Sequence, residues 1–193
     1  MGMSSPPTAN PARRKQIVDA ARSIAASQGW SAVTLRAIAS RIGCSAPAIY
    51  QYFKSKDEVL QALASVGQAM LGERLEKAAA SADGPAKRVR ATIRGVWEFA
   101  LANPELYAVM YGGDGLAAHG RRLAPEELVD AVARLAVKRK ASESTEDLSD
   151  RLFSSVHGFI GLTLGDRYPG GADRARALCD RIVEDAIDRV GRG

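Results

Sequence analysis

The stretch GCSAPAIYQYF, residues 43–53, has the pattern of one short helix with few buried anchors. Pro47 lies in its first turn, where a backbone N–H has no helical partner in any case. At about 100° per residue, Ile49 and Phe53 fall on the same side of this helix, whereas Pro47 and Gln51 point away from them. The sequence therefore predicts a helix held by Ile49 and Phe53 whose opposite face is kept for docking.

The docking face suits a nucleic-acid surface. Its front residues are small, so the helix can approach a partner closely. Gln51 can donate and accept hydrogen bonds, which matches the adenine edge in a major groove. Tyrosine hydroxyls and a lysine suit phosphate oxygens, although two tyrosines here could also simply pack on neighbouring helices. The residues concerned are Ala46, Pro47, Ala48, Tyr50, Gln51, Tyr52 and Lys56.

Positive charge is concentrated in the first quarter of the chain. Residues 1–56 hold eight Lys or Arg and one acid, Asp19, for a net charge of +7, whereas the remaining residues have a net charge of −2. A basic segment on a near-neutral body favours a polyanionic partner at one end. On charge alone, the alternative interpretation is a solvated basic surface that binds no such partner. The basic residues are Arg13, Arg14, Lys15, Arg22, Arg36, Arg41, Lys54 and Lys56.

Length and composition place the chain among ordinary globular proteins. Its 193 residues suffice for one compact domain or a small module, and 46% are hydrophobic and 25% charged. No apolar run approaches the roughly 18 residues of a membrane helix, and residues 1–10 read as a disordered lead without a secretory signal. The separated Cys44 and Cys179 fit a reducing cytoplasm. With only His119 and His157, we expect no metal site and no cofactor.

Helical periodicity is nearly continuous, so we expect an all-α protein of about nine helices. The first helix is expected at about 11–28, because Asn10 can cap it and Pro11 fits the first helical position. A second short helix begins after Thr34, and the stretch GGDG at 112–115 reads as a flexible break. Further helices are expected at about 56–80, 85–102, 104–111, 125–140, 145–165 and 172–190.

Two short helices joined by Gly43-Cys44-Ser45 form a helix-turn-helix candidate. An all-α enzyme is the rival from another class, but two histidines, no paired acids in an apolar context and no phosphate-binding loop argue against it. An all-α adaptor of the same fold that does not bind DNA stays open as an alternative.

Residues 29–60, GWSAVTLRAIASRIGCSAPAIYQYFKSKDEVL, resemble the DNA-binding domain of the TetR family of transcriptional regulators. The resemblance covers the front third of the chain, and its elements keep fixed spacing over about thirty residues. Two positions depart from the family pattern: Tyr52 stands where His is frequent, and Ala48 where many members carry a polar residue. The elements are Gly29, Thr34-x-Arg36-x-Ile38-Ala39, Gly43, Ser45, Ile49-Tyr50-x-Tyr52-Phe53 and Lys56.

The resemblance implies a three-helix DNA-binding domain at 11–56, followed by a helical ligand-binding and dimerisation domain at 57–193. Thr34 and Arg36 would contact phosphate, with Arg36 also able to reach a base. The front of the third helix and Gln51 would meet base edges, and the tyrosines and Lys56 would bind the backbone. The implied DNA-binding set is Thr34, Arg36, Ser45, Ala46, Pro47, Ala48, Tyr50, Gln51, Tyr52 and Lys56. By charge, Arg13, Arg14 and Lys15 are expected near flanking phosphates.

The resemblance also implies a homodimer that binds a palindromic operator in double-stranded DNA, assembled through the last two helices. The first of these carries His157-Gly158, typical of one subgroup, together with Gly161 and Gly165. Since glycine in a helix costs about 1 kcal/mol relative to alanine, a close helix contact should offset it. That contact is either between subunits or within one subunit.

Members of the family couple DNA binding to a small-molecule effector, most often as repressors. The effector expected here is mostly apolar, because the candidate pocket residues are aromatic or methionine with few charges. The fourth helix would act as the lever between pocket and DNA-binding head. For each candidate, ordinary core packing is the alternative. The candidates are Trp97, Tyr107, Met110, Tyr111, Phe153 and His157.

Overall fold

The computed structural model describes residues 10–112 and 123–190. Over these residues it consists of nine α-helices and one short 3-10 turn, which confirms the predicted all-α class. None of the helices in these two ranges is both long and apolar enough to span a lipid bilayer. Residues 1–9 of the expected lead, residues 113–115 of the expected break and His119 lie outside the described residues.

The helix bounds follow the local start and stop signals of the sequence. Asn10 Oδ1 accepts a hydrogen bond from the Ala12 N–H at the start of the first helix, and Gly29, at φ +79°, ends it in a conformation that favours glycine. The helices are α1 Pro11–Gln28, α2 Leu35–Arg41, α3 Ala46–Tyr50, α4 Lys56–Ala80, α5 Pro85–Ala102, α6 Pro104–Tyr111, α7 Glu126–Arg139, α8 Thr145–Leu164 and α9 Gly171–Arg189; the 3-10 turn is Trp30–Ala32.

Contacts divide the chain into two compact units. Of the described residues, unit one comprises 10–67 and 105–112, and unit two comprises 68–104 and 123–190. The helix α4 therefore begins in unit one and ends in unit two.

The core of unit one is small and mostly aliphatic. The helix α1 packs on α2 and on the 3-10 turn, and α2 packs on α3. Ile17, Ile38, Ile49 and Phe53 are all fully buried. At about 25 cal/mol per Å², burial of such side chains is the main stabilising contribution to a small helical unit of this kind.

The helix α6 is held to the rest of unit one at two places. Arg22 on α1 donates from Nε to Glu105 Oε1 at 2.7 Å, and the Glu105 side chain is only 12% exposed. On α4, a Cβ added at Gly67 would lie 2.5 Å from Met110 Sδ, so the missing side chain permits the close approach of α6. Both contacts tie α6 to helices of the same unit.

Unit two is a helical bundle in which α5 packs on α7 and α8 packs on α9. The side chains Val89, Ile93, Val96, Trp97 and Ala100 of α5 are all buried, as their spacing predicts. Across the surface, Arg90 on α5 donates from Nε and Nη2 to the two carboxylate oxygens of Glu184 on α9, at 2.6 and 2.5 Å. These hydrogen bonds lower the pKa of Glu184.

The buried stripe of α4 leaves two apolar residues of this helix exposed. Val66 and Met70 are 40% and 38% exposed, whereas Leu71 and Leu75 are buried. The buried residues recur every four positions from Leu63, and each such step turns about 40° around the helix. The stripe therefore winds away from Val66 and Met70.

Candidate nucleic-acid interface

The turn between α2 and α3 is built by local backbone constraints. Gly43 has a φ of +66°, a left-handed conformation that costs glycine little. The Cys44 N–H donates to the Ala39 carbonyl at 3.0 Å, which closes the end of α2. The chain can then reverse over residues 42–45 and start α3 against α2, so the predicted helix-turn-helix is present.

The helix α3 is anchored on one side and exposed on the other. Ile49 and Phe53 are fully buried. Pro47 and Gln51 are exposed, and Tyr50 keeps 55% of its surface exposed. The Tyr50 side chain is therefore available to a partner, and core packing does not account for it.

The helix is shorter than the two turns that its sequence suggests. It contains five residues, and Gln51 occupies its C-cap position with helical dihedral angles. The N–H groups of Tyr52 and Phe53 both donate to the Ile49 carbonyl, at 2.9 and 3.0 Å. Gln51 thus stays close to the end of the helical surface. The remaining members of the face, Ala46, Ala48 and Tyr52, are half-buried.

Two predicted contact residues lie at the start of α2. Thr34 is exposed, and its Oγ1 accepts a hydrogen bond from the Ala37 N–H at 3.1 Å, so the hydroxyl also caps α2. Arg36 is exposed on the first turn. Ser45 holds the corresponding N-cap position of α3, but its hydroxyl makes no capping hydrogen bond. Ser45 therefore does not cap α3 through its side chain, although serine is a frequent N-cap residue.

Lys56 begins α4 and is half-buried. Its Nζ donates to the Trp30 carbonyl at 2.7 Å, which joins the start of α4 to the 3-10 turn. Because an ammonium carries three donors, this bond leaves capacity for a phosphate oxygen. Lys56 thus makes a structural hydrogen bond within the protein and also lies where a contact with the DNA phosphate backbone is expected.

The basic cluster near the start of α1 is engaged within the chain. Arg13 Nη1 donates to Gln16 Oε1 at 2.7 Å, and Lys15 Nζ pairs with Asp19 Oδ2 at 2.6 Å. Arg14 Nη1 donates to the Tyr52 carbonyl at 3.1 Å. Exposed pairs of this type contribute little to stability, so the first two do not prevent new contacts.

The predicted effector-pocket residues are distributed over both units. In unit two, Trp97 and Phe153 are buried, and Phe153 stacks on the half-buried His157 with ring centroids 6.1 Å apart. Burial lowers the pKa of His157. In unit one, Tyr107 and Met110 are buried on α6, and the half-buried Tyr111 has its ring centroid 5.0 Å from that of Tyr107. These degrees of burial fit ordinary core packing as well as a pocket wall.

A cavity of about 510 Å³ lies within unit two and contains none of the six predicted pocket residues. Its wall is aliphatic, with two Arg and two acidic residues and a serine at its edge. Arg151 and Glu143 at this edge form a bidentate ion pair. No pattern in the sequence indicates this cavity, because its lining comes from four helices and one loop. The lining is Val89, Val132, Leu135, Glu143, Leu148, Arg151, Leu152, Ser155, Ile182, Asp185, Ala186, Ile187, Arg189 and Val190.

The outer face of α8 and α9 carries small and apolar residues. A Cβ added at Gly158 or Gly161 would meet no atom of the described residues within 4 Å, so these two glycines serve no close contact with that part of the chain. Nearby on the two helices, Leu162 and Ile182 are 43% and 40% exposed. Among residues 10–112 and 123–190, none covers the face at those positions.

Groups that could hold a metal ion are absent from the described residues: no three His, Cys, Asp or Glu side chains come together there. Cys179 is buried, and burial raises the pKa of its thiol to about 11. A thiol with that pKa is protonated at neutral pH and is a poor nucleophile.

Comparison with known proteins gives the family. A family model described as bacterial regulatory proteins of the tetR family matches residues 17–63, and a model described as the tetracyclin repressor-like C-terminal domain matches residues 89–186. The second match covers about half of the chain. The protein therefore belongs to the TetR family: it is a transcriptional regulator with a helix-turn-helix DNA-binding domain.

Relatives and solved structures agree with this membership. The regulator Rv1816 of Mycobacterium tuberculosis is 32% identical over 99 residues, which cover 50% of this chain and 42% of that protein, so the chain spans about two fifths of the length of such curated relatives. A protein of unknown function from Rhodococcus sp. RHA1 has a TM-score of 0.70 at 25% identity and 98% coverage of both chains. RolR in complex with resorcinol has a TM-score of 0.68 at 18% identity, covers 95% of both chains and shares the fold.

The two N-cap positions of the helix-turn-helix predict different responses to alanine. Thr34→Ala removes the capping hydrogen bond of α2 and should lower the free energy of unfolding by about 1 kcal/mol. Ser45→Ala removes no such bond and should change it by less than about 0.5 kcal/mol. Urea denaturation of the two variants measures both values. Equal losses would show that Ser45 caps α3 in solution.

Proposed function

We propose that this regulator is a repressor that binds a palindromic operator as a homodimer and is released by a small, mostly apolar effector. The observation that carries the DNA-binding part is the exposed face of α3, with Pro47, Tyr50 and Gln51 turned away from the buried Ile49 and Phe53. Within the same unit, Thr34 and Arg36 are exposed at the start of α2.

The proposed contacts divide by chemistry. Gln51, with the small residues Ala46, Pro47 and Ala48, reads base edges in the major groove. Backbone contacts come from Thr34, Arg36, Tyr50, Tyr52 and Lys56, whose hydroxyl, guanidinium and ammonium groups suit phosphate oxygens. The DNA-binding domain is proposed to occupy 11–56, with residues 57–193 serving effector binding and dimerisation.

Selection of bound sites from random duplex DNA tests this proposal. The recovered sites should be palindromes whose half-sites lie about 34–36 Å apart or a multiple of that distance. Gln51→Ala should relax the preference at one base pair by about 1–3 kcal/mol, because it removes the amide that reads that base. Fluorescence anisotropy on the selected site and on random DNA measures the change.

Lys56→Ala is the matched control, since loss of a phosphate contact weakens binding to all sequences about equally. Equal losses on the selected site and on random DNA for Gln51→Ala would contradict base readout. A gel-shift titration against salt tests the adaptor alternative. An adaptor that does not bind DNA would retard no DNA at any salt concentration, whereas a protein that binds phosphates retards DNA less as the salt concentration rises.

The proposed dimer interface is the outer face of α8 and α9. Its support is the open space beside Gly158 and Gly161 together with the exposed Leu162 and Ile182. Small residues at these positions let a second helix approach closely, which would offset the cost of glycine in a helix. Apolar side chains beside them gain from burial against a second copy.

Leu162→Glu and Ile182→Glu should each convert the dimer to monomers, because the carboxylate would be buried in an apolar interface without a partner. Light scattering coupled to gel filtration measures the mass. Val137→Glu is the matched control, since Val137 is 81% exposed on α7. Dimers that persist in both interface variants, or that dissociate in the control, would exclude this location.

The effector is proposed to bind in unit two at one of two places. One is the aliphatic cavity of about 510 Å³, a size that accommodates small ligands. The other is the predicted cluster of Trp97, Phe153 and His157. RolR, which shares the fold, is in complex with the small aromatic molecule resorcinol, and this supports a small-molecule effector here. Tyr107, Met110 and Tyr111 lie on α6 in unit one, outside these two places, and their role in effector binding stays a prediction.

Transmission to the DNA-binding head is proposed to run through α4 and α6. The helix α4 starts at the head and continues into unit two, and α6 contacts α1 through Arg22–Glu105 and α4 beside Gly67. A ligand that prefers a dimer with different head spacing lowers operator affinity by its differential affinity for the two states.

A screen of small aliphatic and aromatic compounds, resorcinol included, for operator release distinguishes the two places. If the effector binds in the cavity, Ala186→Phe fills it. The compound concentration that releases half of the operator should then rise by at least about tenfold. Ala177 is exposed on the same helix, so Ala177→Phe should leave this concentration unchanged. If the cluster is used, His157→Ala should have that effect instead. No effect from either variant would exclude both places.

The same compounds test the lever. Spin labels on the exposed Gln28 of both subunits report the spacing and mobility of the heads. Release of the operator without a change in either would contradict transmission through α4.

A further inference from the structure

Arg14 differs from the two basic residues that flank it. Arg13 and Lys15 each bond to a side chain of the same helix, Gln16 and Asp19. Arg14 instead reaches a segment 38 residues further along the chain. A cluster that looks uniform in the sequence therefore contains one residue with a separate structural contact.

The Arg14 guanidinium makes two contacts at the C-terminal end of α3. Its Nη1 donates to the Tyr52 carbonyl at 3.1 Å. Its central carbon lies 4.1 Å from the centroid of the Phe53 ring, a cation–π distance. Phe53 is itself fully buried, so the guanidinium rests on a fixed part of the core.

A helix as short as α3 needs such an external constraint. Its five residues bury one side chain, Ile49, and Phe53 follows three residues after its end. Two anchors on one line resist translation of the helix but leave rotation about that line weakly opposed. The hydrogen bond to the Tyr52 carbonyl holds the end of α3 at a third residue, and a guanidinium is a planar group that stacks and donates in a fixed geometry.

We propose that Arg14 is a positioning residue that fixes the angle of α3 for base readout, and that its charge is not used on a phosphate. The inference rests on the proposed DNA binding by α3. Arg14 stays exposed, so burial alone does not prevent a phosphate contact. The salt dependence of binding and the response to lysine separate the two roles.

The experiment compares Arg14→Ala, Arg14→Lys and Lys15→Ala on the selected operator over a range of salt concentrations. Arg14→Ala should lower operator affinity about tenfold and leave the slope of log K against log salt unchanged. Arg14→Lys should lose as much, because a lysine keeps the charge but neither the planar stack nor the fixed donor geometry. Lys15→Ala, if that residue meets a phosphate, reduces the slope by about 0.9.

Hydrogen exchange on the DNA-free protein gives a readout that does not depend on the operator. The amides of residues 46–53 should exchange faster in both Arg14 variants than in Lys15→Ala, since α3 has lost a constraint. Thermal melting identifies any variant that fails to fold, and the lysine variant then carries the comparison.

The outcomes are separable. A slope that falls by about 0.9 in Arg14→Ala and recovers in Arg14→Lys would make Arg14 a phosphate contact and overturn the proposal. Unchanged affinity, or unchanged exchange at residues 46–53, would overturn it as well. If the unaltered protein selected no operator, the proposed DNA binding would fail, while the exchange comparison would still decide whether Arg14 holds α3.

Discussion

Burial of Ile49 and Phe53 is the constraint on which the DNA-binding head depends. A helix of five residues is not stable alone. The entropy lost in fixing the first turn exceeds the free energy gained from its few hydrogen bonds. Its conformation is therefore set by packing, and these two side chains supply the packing from one side. The same geometry decides which residues face outward. The spacing of residues around this helix thus decides both which side chains anchor it in the core and which remain exposed.

Much of the fold was predictable because its boundaries are marked locally. Pro11, Pro85 and Pro104 each open a helix where the sequence predicts one, and Gly29 closes α1 in a left-handed conformation. The buried face of α5 also follows from spacing alone, since its apolar residues recur at helical period on a helix packed within one unit. Signals of this kind depend on neighbours a few residues away, which the sequence shows directly.

The features that were not predictable depend on residues distant in the chain. The winding of the buried stripe on α4 follows from which helices it meets, so Val66 and Met70 are exposed despite being apolar. The aliphatic cavity needs the ends of four helices to be placed together. In the head, the position of the candidate DNA-contact residues agrees with a docking face, but their individual roles remain predictions, because pattern identifies residue types and not which atoms they meet.

The small side chains at the front of α3 have a consequence for sequence discrimination. With Ala46, Pro47 and Ala48 at that end, a groove-bound helix offers methyl and methylene groups there instead of hydrogen-bond donors. Such groups distinguish thymine through its 5-methyl group and discriminate weakly among the other bases. In the proposed complex, Gln51 reads one base pair directly, and discrimination at the other positions falls to the stiffness and groove width of the duplex. Base pairs that no side chain touches would then still influence affinity.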